Sequence, residues 1–164
     1  MTSIIKVDTI QTSAGGTPTA ASLGIDLGNV GKIGQVVHAT NTTSTATTST
    51  SYVSTNFTGS ITPSATSSKV FGMLQCRPYV SAGGTEMWLK ITGGGRTQWQ
   101  GYTAFSSAGA MAQNMTVTFE DVPNSTSSIT YIVEIKSASG NNVILHPNGG
   151  NDGTGRITLM EVLA

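Results

Sequence analysis

The groups that could do chemistry are few and far apart. The chain has two histidines, His38 and His146, one cysteine, Cys76, and four residues each of Asp and Glu. Hydrolysis or group transfer needs a nucleophile beside a base, or two carboxylates in reach of one bond. Glu120 and Asp121 are adjacent, so on an extended strand they point to opposite faces and cannot act as a pair. The enzyme reading would need a groove built between subunits from acids such as Glu86, Glu120, Asp121 and Asp152, which are spread along the chain. The loop His146–Arg156 is rich in Gly and Asn but carries only Asp152 as a hard anionic ligand, and its pattern occurs once. A calcium site needs several oxygen ligands or a repeated turn, so the expectation is no metal and no cofactor. Gly93-Gly-Gly-Arg96 lacks the Lys-Ser/Thr ending of a phosphate loop and reads as a hairpin tip. The chemistry that remains is surface contact. Trp88, Trp99 and Tyr102 flank that tip, and Trp88 falls on the polar face of its alternating run. Either Trp88 presents a contact surface for a sugar, a partner protein or another copy, or its strand is buried on both faces. His146 and Asp152 join these as surface-contact candidates at a loop end.

Composition sets the frame for those residues. Only 10% of the 164 residues are charged, eight basic and eight acidic, with net charge zero. No basic field exists to hold a phosphate backbone, so nucleic acid is not an expected partner. No apolar run of about 18 residues and no amphipathic helix calls for a membrane, and no signal-peptide h-region opens the chain. Synthesis in a cytoplasm is the expectation. The chain holds 26 Thr, 19 Ser and 20 Gly, residues of strands and turns, not helices. Cys76 has no partner for a disulfide and lies in an apolar run as a small hydrophobe. Asn41, Asn56, Asn114 and Asn124 each open an N-x-Ser/Thr triplet, which a chain this rich in hydroxyls produces by chance.

The elements that must position these side chains are strands. Alternating or apolar runs cover Ile33–Ala39, Ser51–Ile61, Lys69–Pro78, Glu86–Thr92, Thr97–Phe105, Asn114–Val122, Ile129–Lys136, Val143–Leu145 and Ile157–Leu163. Eight or nine strands at this spacing predict an all-β, jelly-roll-like β-sandwich over residues 32–164. Lys69–Pro78 is apolar on nearly every residue and reads as a central strand. Ile157–Leu163 reads as interior too, because so apolar a strand at an edge invites pairing. Ser81–Gly84 has the composition of a hairpin connection, while 78–85, 105–113 and 146–156 are long enough to cross between sheets. Ser106–Met111 is the best place for a single helical turn. The tract Thr40–Ser51, TNTTSTATTSTS, has the composition most open to disorder, and the sequence leaves its order undecided.

Residues 1–31 form a separate arm. Ser3–Gln11 alternates like a strand, with Ile5 and Val7 on one face and Ile4 and Ile10 on the other. A Gly/Thr/Pro/Ala spacer follows, then Leu23, Ile25 and Leu27. These seven apolar residues are too few to offset the ordering entropy of the segment alone. The expectation is an assembly arm whose strand-like part adds to a neighbouring chain or partner sheet.

The opening SIIKVDTIQTSAGGTPTAASLGI, the strand Gly31-Lys-Ile-Gly-Gln-Val-Val37, the segment SITPSATSSKV (Ser60–Val70) and the closing ITLMEV (Ile157–Val162) resemble structural proteins of tailed bacteriophages, notably those of cyanobacteria and other aquatic bacteria. The resemblance spans nearly the whole chain and carries no catalytic signature. It implies a non-enzymatic virion protein, usually a homotrimer, attached to the particle by its N-terminal segment. It further implies a tail-fibre-like appendage whose β domain faces outward to a host glycan or protein. A capsid decoration or cement protein, bracing the head shell through the arm, is the alternative it leaves open. The matched motifs are structural, so no binding residue carries over from the resemblance.

Overall fold

The computed structural model describes residues 32–146 and 155–163. The chain divides into two units, Met1–Val30 and Gly31–Ala164. All described residues fall in the second. The assembly arm, the interior of the His146–Arg156 loop and Asp152 lie outside the described residues.

Among the described residues there is no helix. Eleven strands form: β1 (Lys32–Asn41), β2 (Thr45–Thr47), β3 (Val53–Ile61), β4 (Lys69–Val80), β5 (Thr85–Gly93), β6 (Arg96–Ser106), β7 (Met111–Ala112), β8 (Met115–Asp121), β9 (Ile129–Ser137), β10 (Val143–His146) and β11 (Gly155–Leu163). They build two antiparallel sheets packed as a jelly-roll-like sandwich. One has the order β3-β9-β5-β6; the other runs β1-β11-β4-β10-β2, with β7 and β8 also paired to β4. The twelve-residue β4 is the hub. Its first part lies between β11 and β8, and its last part between β10 and β7. This is why its sequence is apolar almost throughout. β11 lies between β1 and β4, as its own apolar character requires.

Inward positions of both sheets meet in one core that includes Phe57, Leu74, Met87, Leu89, Ile91, Tyr131, Ile135, Leu145, Ile157 and Leu159, all at most 2% exposed. Two of its large rings sit over glycines. Phe119 on β8 pairs with Gly72 on β4, and Tyr131 on β9 pairs with Gly93 on β5. A Cβ at Gly72 would fall 2.1 Å from the Phe119 ring, and one at Gly93 would fall 2.3 Å from Tyr131. The rings then meet each other with centroids 5.1 Å apart, so each glycine opens the space that lets the sheets close over an aromatic pair.

Several local expectations are corrected. Ser81–Gly84 is not a hairpin: β4 and β5 belong to different sheets, and the segment carries the chain across. The long connection 146–156 does not cross, because β10 and β11 both pair with β4. Connection 105–113 does cross. It contains no helical turn, because Met111–Ala112 instead pairs with Tyr79 and Val80 of β4. The Thr40–Ser51 tract is ordered. Asn41 closes an Asx-type turn, accepting from the Thr43 amide at 2.9 Å, Thr45–Thr47 pairs with β10, and the Ser137 amide donates to Ser49 O at 2.8 Å. Side-chain and backbone bonds of this kind substitute for apolar burial in a segment of small hydroxyl residues. The Gly93–Arg96 tip is a two-residue hairpin between β5 and β6. Gly94 and Gly95 both have positive φ, 59° and 77°, as the tight primed turn demands.

Candidate functional site

The outward face of the four-stranded sheet carries the densest set of side chains suited to recognition. Alternation on β5 sends Glu86, Trp88, Lys90 and Thr92 outward while Met87, Leu89 and Ile91 are buried. On β9 it sends Glu134 and Lys136 outward between buried Val133, Ile135 and Ser137. Register then decides which of these meet. Lys136 pairs with Trp88, and Trp88 with Tyr102. The Trp88 and Tyr102 rings meet edge to face, centroids 6.1 Å apart, and Phe105 lies 6.4 Å beyond Tyr102. On the other side the Lys136 ammonium stands 5.5 Å from the Trp88 ring and 4.9 Å from the Tyr52 ring, with Lys90 4.6 Å from Tyr52. The result is one row across the sheet: Tyr52, Lys136, Trp88, Tyr102. Cations over ring faces are attracted by the ring quadrupole, so the row is pre-set, not a loose collection.

The neighbouring row is polar. Lys90 pairs with Glu134 at 2.9 Å, both under 20% exposed, and Thr92 donates to Glu134 at 3.2 Å. Burial, with the Glu134 charge nearby, raises the Tyr52 phenol, and burial with Glu86 raises Tyr102. Both hydroxyls stay protonated; Tyr102 is exposed, while the Tyr52 hydroxyl oxygen is buried without a hydrogen-bond partner. Tyr102 and Phe105 are 46% and 41% exposed. An exposed ring next to hydroxyl, amide and ammonium groups can stack on an apolar ligand face while bonding its polar rim.

The sequence-predicted contact residues do not form one group. Trp88 and Tyr102 share the outward row. Trp99 lies on the opposite face, partly buried against the core and covering Gly101. His146 ends β10 with Arg77 as its register partner; its side chain, Asp152 and the arm residues Ile4, Ile5, Val7, Ile10, Leu23, Ile25 and Leu27 lie outside the described residues. Tyr52, Lys90, Lys136 and Phe105 were not singled out from sequence. Alternation placed Tyr52 and Lys90 on the polar faces of their strands, but only strand pairing makes them neighbours of Trp88.

The carboxylates are tied into architecture. Glu120 and Asp121 do face opposite sides: Glu120 pairs with Lys69 at 2.9 Å on the surface, and Asp121 is 3% exposed. Asp121 on β8 accepts from Arg96 on β6 at 2.7 Å and from Tyr131 on β9 at 2.8 Å, locking one sheet to the other. Burial pushes the Tyr131 phenol far up, and its bond to Asp121 adds to the rise. Glu161 on β11 is 1% exposed. Burial would raise its pKa, but donors outweigh it and hold the carboxyl at about 2. They are the Ser64 amide and hydroxyl, each at 2.6 Å, and the Gln35 amide at 2.8 Å. The buried Ser68 hydroxyl also favours the charge, although no hydrogen bond of full geometry joins the two. Among the described residues, no group of three or more His, Cys, Asp or Glu is placed to hold a metal.

No family model matches the chain, and no curated protein does. Solved structures with a similar arrangement are larger. The insecticidal delta-endotoxin Cry8Ea1 of Bacillus thuringiensis is 16% identical, with TM-score 0.40, over 73% of this chain and 19% of its own. A D431N mutant VP2 protein of infectious bursal disease virus, in T=1 particles, is 14% identical, with TM-score 0.43, over 82% of this chain and 37% of its own. The VP2 subviral particle of that virus gives 14% and 0.38 over 82% and 39%. The chain therefore spans well under half the length of each.

Proposed function

We propose that this chain is a non-enzymatic structural protein of a bacteriophage virion. In this reading it is a tail-fibre-like homotrimer, held to other virion proteins through residues 1–31, with its β-sandwich turned to the host surface. The observation that carries the recognition part is the outward row Tyr52–Lys136–Trp88–Tyr102 on the four-stranded sheet. Its aromatic surface is bordered by Lys90, Glu134 and Thr92, groups that suit the mixed apolar and hydroxyl surface of a glycan. The placement of Glu120, Asp121 and Glu161 in ion pairs and buried bonds supports a structural role for the acids. The virion assignment itself rests on the sequence resemblance of the arm and of the Ser60–Val70 and Ile157–Val162 segments.

Two measurements test this. Antibody raised to the purified chain should label tails of intact particles; label over the head surface instead moves the assignment to capsid decoration. On an array of neutral and acidic bacterial surface oligosaccharides the chain should bind a defined subset. Trp88→Ala and Tyr102→Ala should each lower that binding by roughly two- to tenfold, the weight of a lost stacking contact. Unchanged binding by both variants removes the row from the function.

A further inference from the structure

The outward face of the larger sheet breaks the rule that a solvated sheet face is polar. Register lines up Ile33 with Val162, and Val36 with Met160 and Phe71; the row of His38 and Thr158 adds Met73. Six apolar side chains on three adjacent strands thus face away from the core. Ile33 and Val36 are 52% and 49% exposed, and the other four are half-buried. A β-bulge between Ile33 and Val36 keeps both on this face. The outward face of the other sheet differs: β3 presents Ser54, Asn56, Thr58 and Ser60 there, and the aromatic row of Trp88 and Tyr102 is interleaved with Lys136, Lys90 and Glu134.

We infer that this stripe is the surface through which copies of the chain associate. The inference rests on the homotrimer reading above and assigns its interface. Charge favours a second copy as the occupant. Along the β8 flank of the stripe Lys69, in the row of Ile33 and Val162, and Glu120, beside Phe71, neutralise each other at 2.9 Å, and Arg156 stands one row beyond Met73 with Gln75. The centre carries no charge that would select a different partner or repel its own copy. The six side chains fill three rows on β1, β11 and β4, which at a strand spacing of about 4.8 Å and a same-face repeat of about 6.8 Å make roughly 300 Å² of flat sheet. In this reading β8 and the flanking loops supply the rest of the roughly 800 Å² per partner of a stable interface. Met73 and Met160 supply side chains that adapt to an imperfect match.

Sedimentation velocity on the full chain tests the assignment. The unaltered protein should sediment as an oligomer. Val36→Glu and Met160→Glu should dissociate at least about 100-fold more readily, while Asn56→Glu on the other sheet leaves assembly unchanged. Val36→Ser, at a half-exposed edge-strand position that tolerates it without unfolding, should weaken association roughly fivefold. If the two Glu variants melt normally and stay assembled, this face is the wrong one and the homotrimer reading survives. If they fail to fold, an unchanged dissociation constant for Val36→Ser overturns the inference. An unaltered chain that is monomeric at micromolar concentration overturns both the inference and the homotrimer reading.

Discussion

Replacing Glu161 by Gln removes the most heavily bonded charge in the domain while keeping its shape. The folded carboxyl titrates at about 2 against an ordinary 4.5. At about 1.4 kcal/mol per pH unit, that difference is worth at most about 3.5 kcal/mol of folding free energy. The sign follows from which state binds the proton more tightly. Above pH 4.5 both states are ionised and the contribution is whole. As pH falls towards 2 the unfolded chain takes up its proton first, so stability drains away across that window. The variant has a further handicap at neutral pH. Whichever carboxylate oxygen becomes NH₂ then faces a donor, the Ser64 amide and hydroxyl on one side or the Gln35 amide on the other, which leaves donor against donor in a site 1% exposed. Urea unfolding followed by tryptophan fluorescence at a series of pH values is the assay. Glu161→Gln should lose about 2–3 kcal/mol at pH 7, a fall in melting temperature on the order of 10 °C. The gap to the unaltered protein should narrow steadily below pH 4.5. Parallel curves from pH 5 to pH 2 would refute the argument that this carboxylate is held ionised by its donors.

Two further predictions test the core. Gly72→Ala puts a methyl 2.1 Å from the Phe119 ring and should cost about 1–3 kcal/mol by overpacking; combining it with Phe119→Leu should recover part of the loss, and an additive double mutant would contradict direct contact. Cys76 is 5% exposed and burial pushes its thiol up to about 12. A thiol reagent at pH 8 should therefore label it only in denaturant, and rapid labelling of the native protein would show the thiol is accessible.

Much of the sandwich was legible because its signals are local. Alternation identified the long strands, and the side each residue takes on β5, β8 and β9 followed from period two alone. The unbroken apolar run of Lys69–Pro78 marked β4 as central, and Gly94 and Gly95 marked the one tight hairpin with its positive φ values. What failed was short or non-local. β2 and β7 have three and two residues, too few to show a period. They exist because β10 and the end of β4 offer them edges. Whether Ser81–Gly84 closes a hairpin or crosses the sandwich depends on which sheet receives β5, and its own residues are compatible with both. The glycines at 72 and 93 read as interruptions in sequence, and only pairing shows them as the space for Phe119 and Tyr131.

The same division runs through the candidate surfaces. By itself the sequence determined that Trp88 takes the polar side of its strand, that Glu120 and Asp121 part company, and that the chain's few charges build no catalytic group in one segment. Tertiary structure decided that Trp88 lies beside Tyr102 and Lys136 while Trp99 turns inward. It also decided that Ile33, Val36, Met160 and Phe71, more than 120 positions apart at their extremes, make one outward stripe. Period two fixes which side of a strand each residue occupies. Register between strands distant in sequence fixes which residues become neighbours, and that is settled only when the two sheets close over a common core.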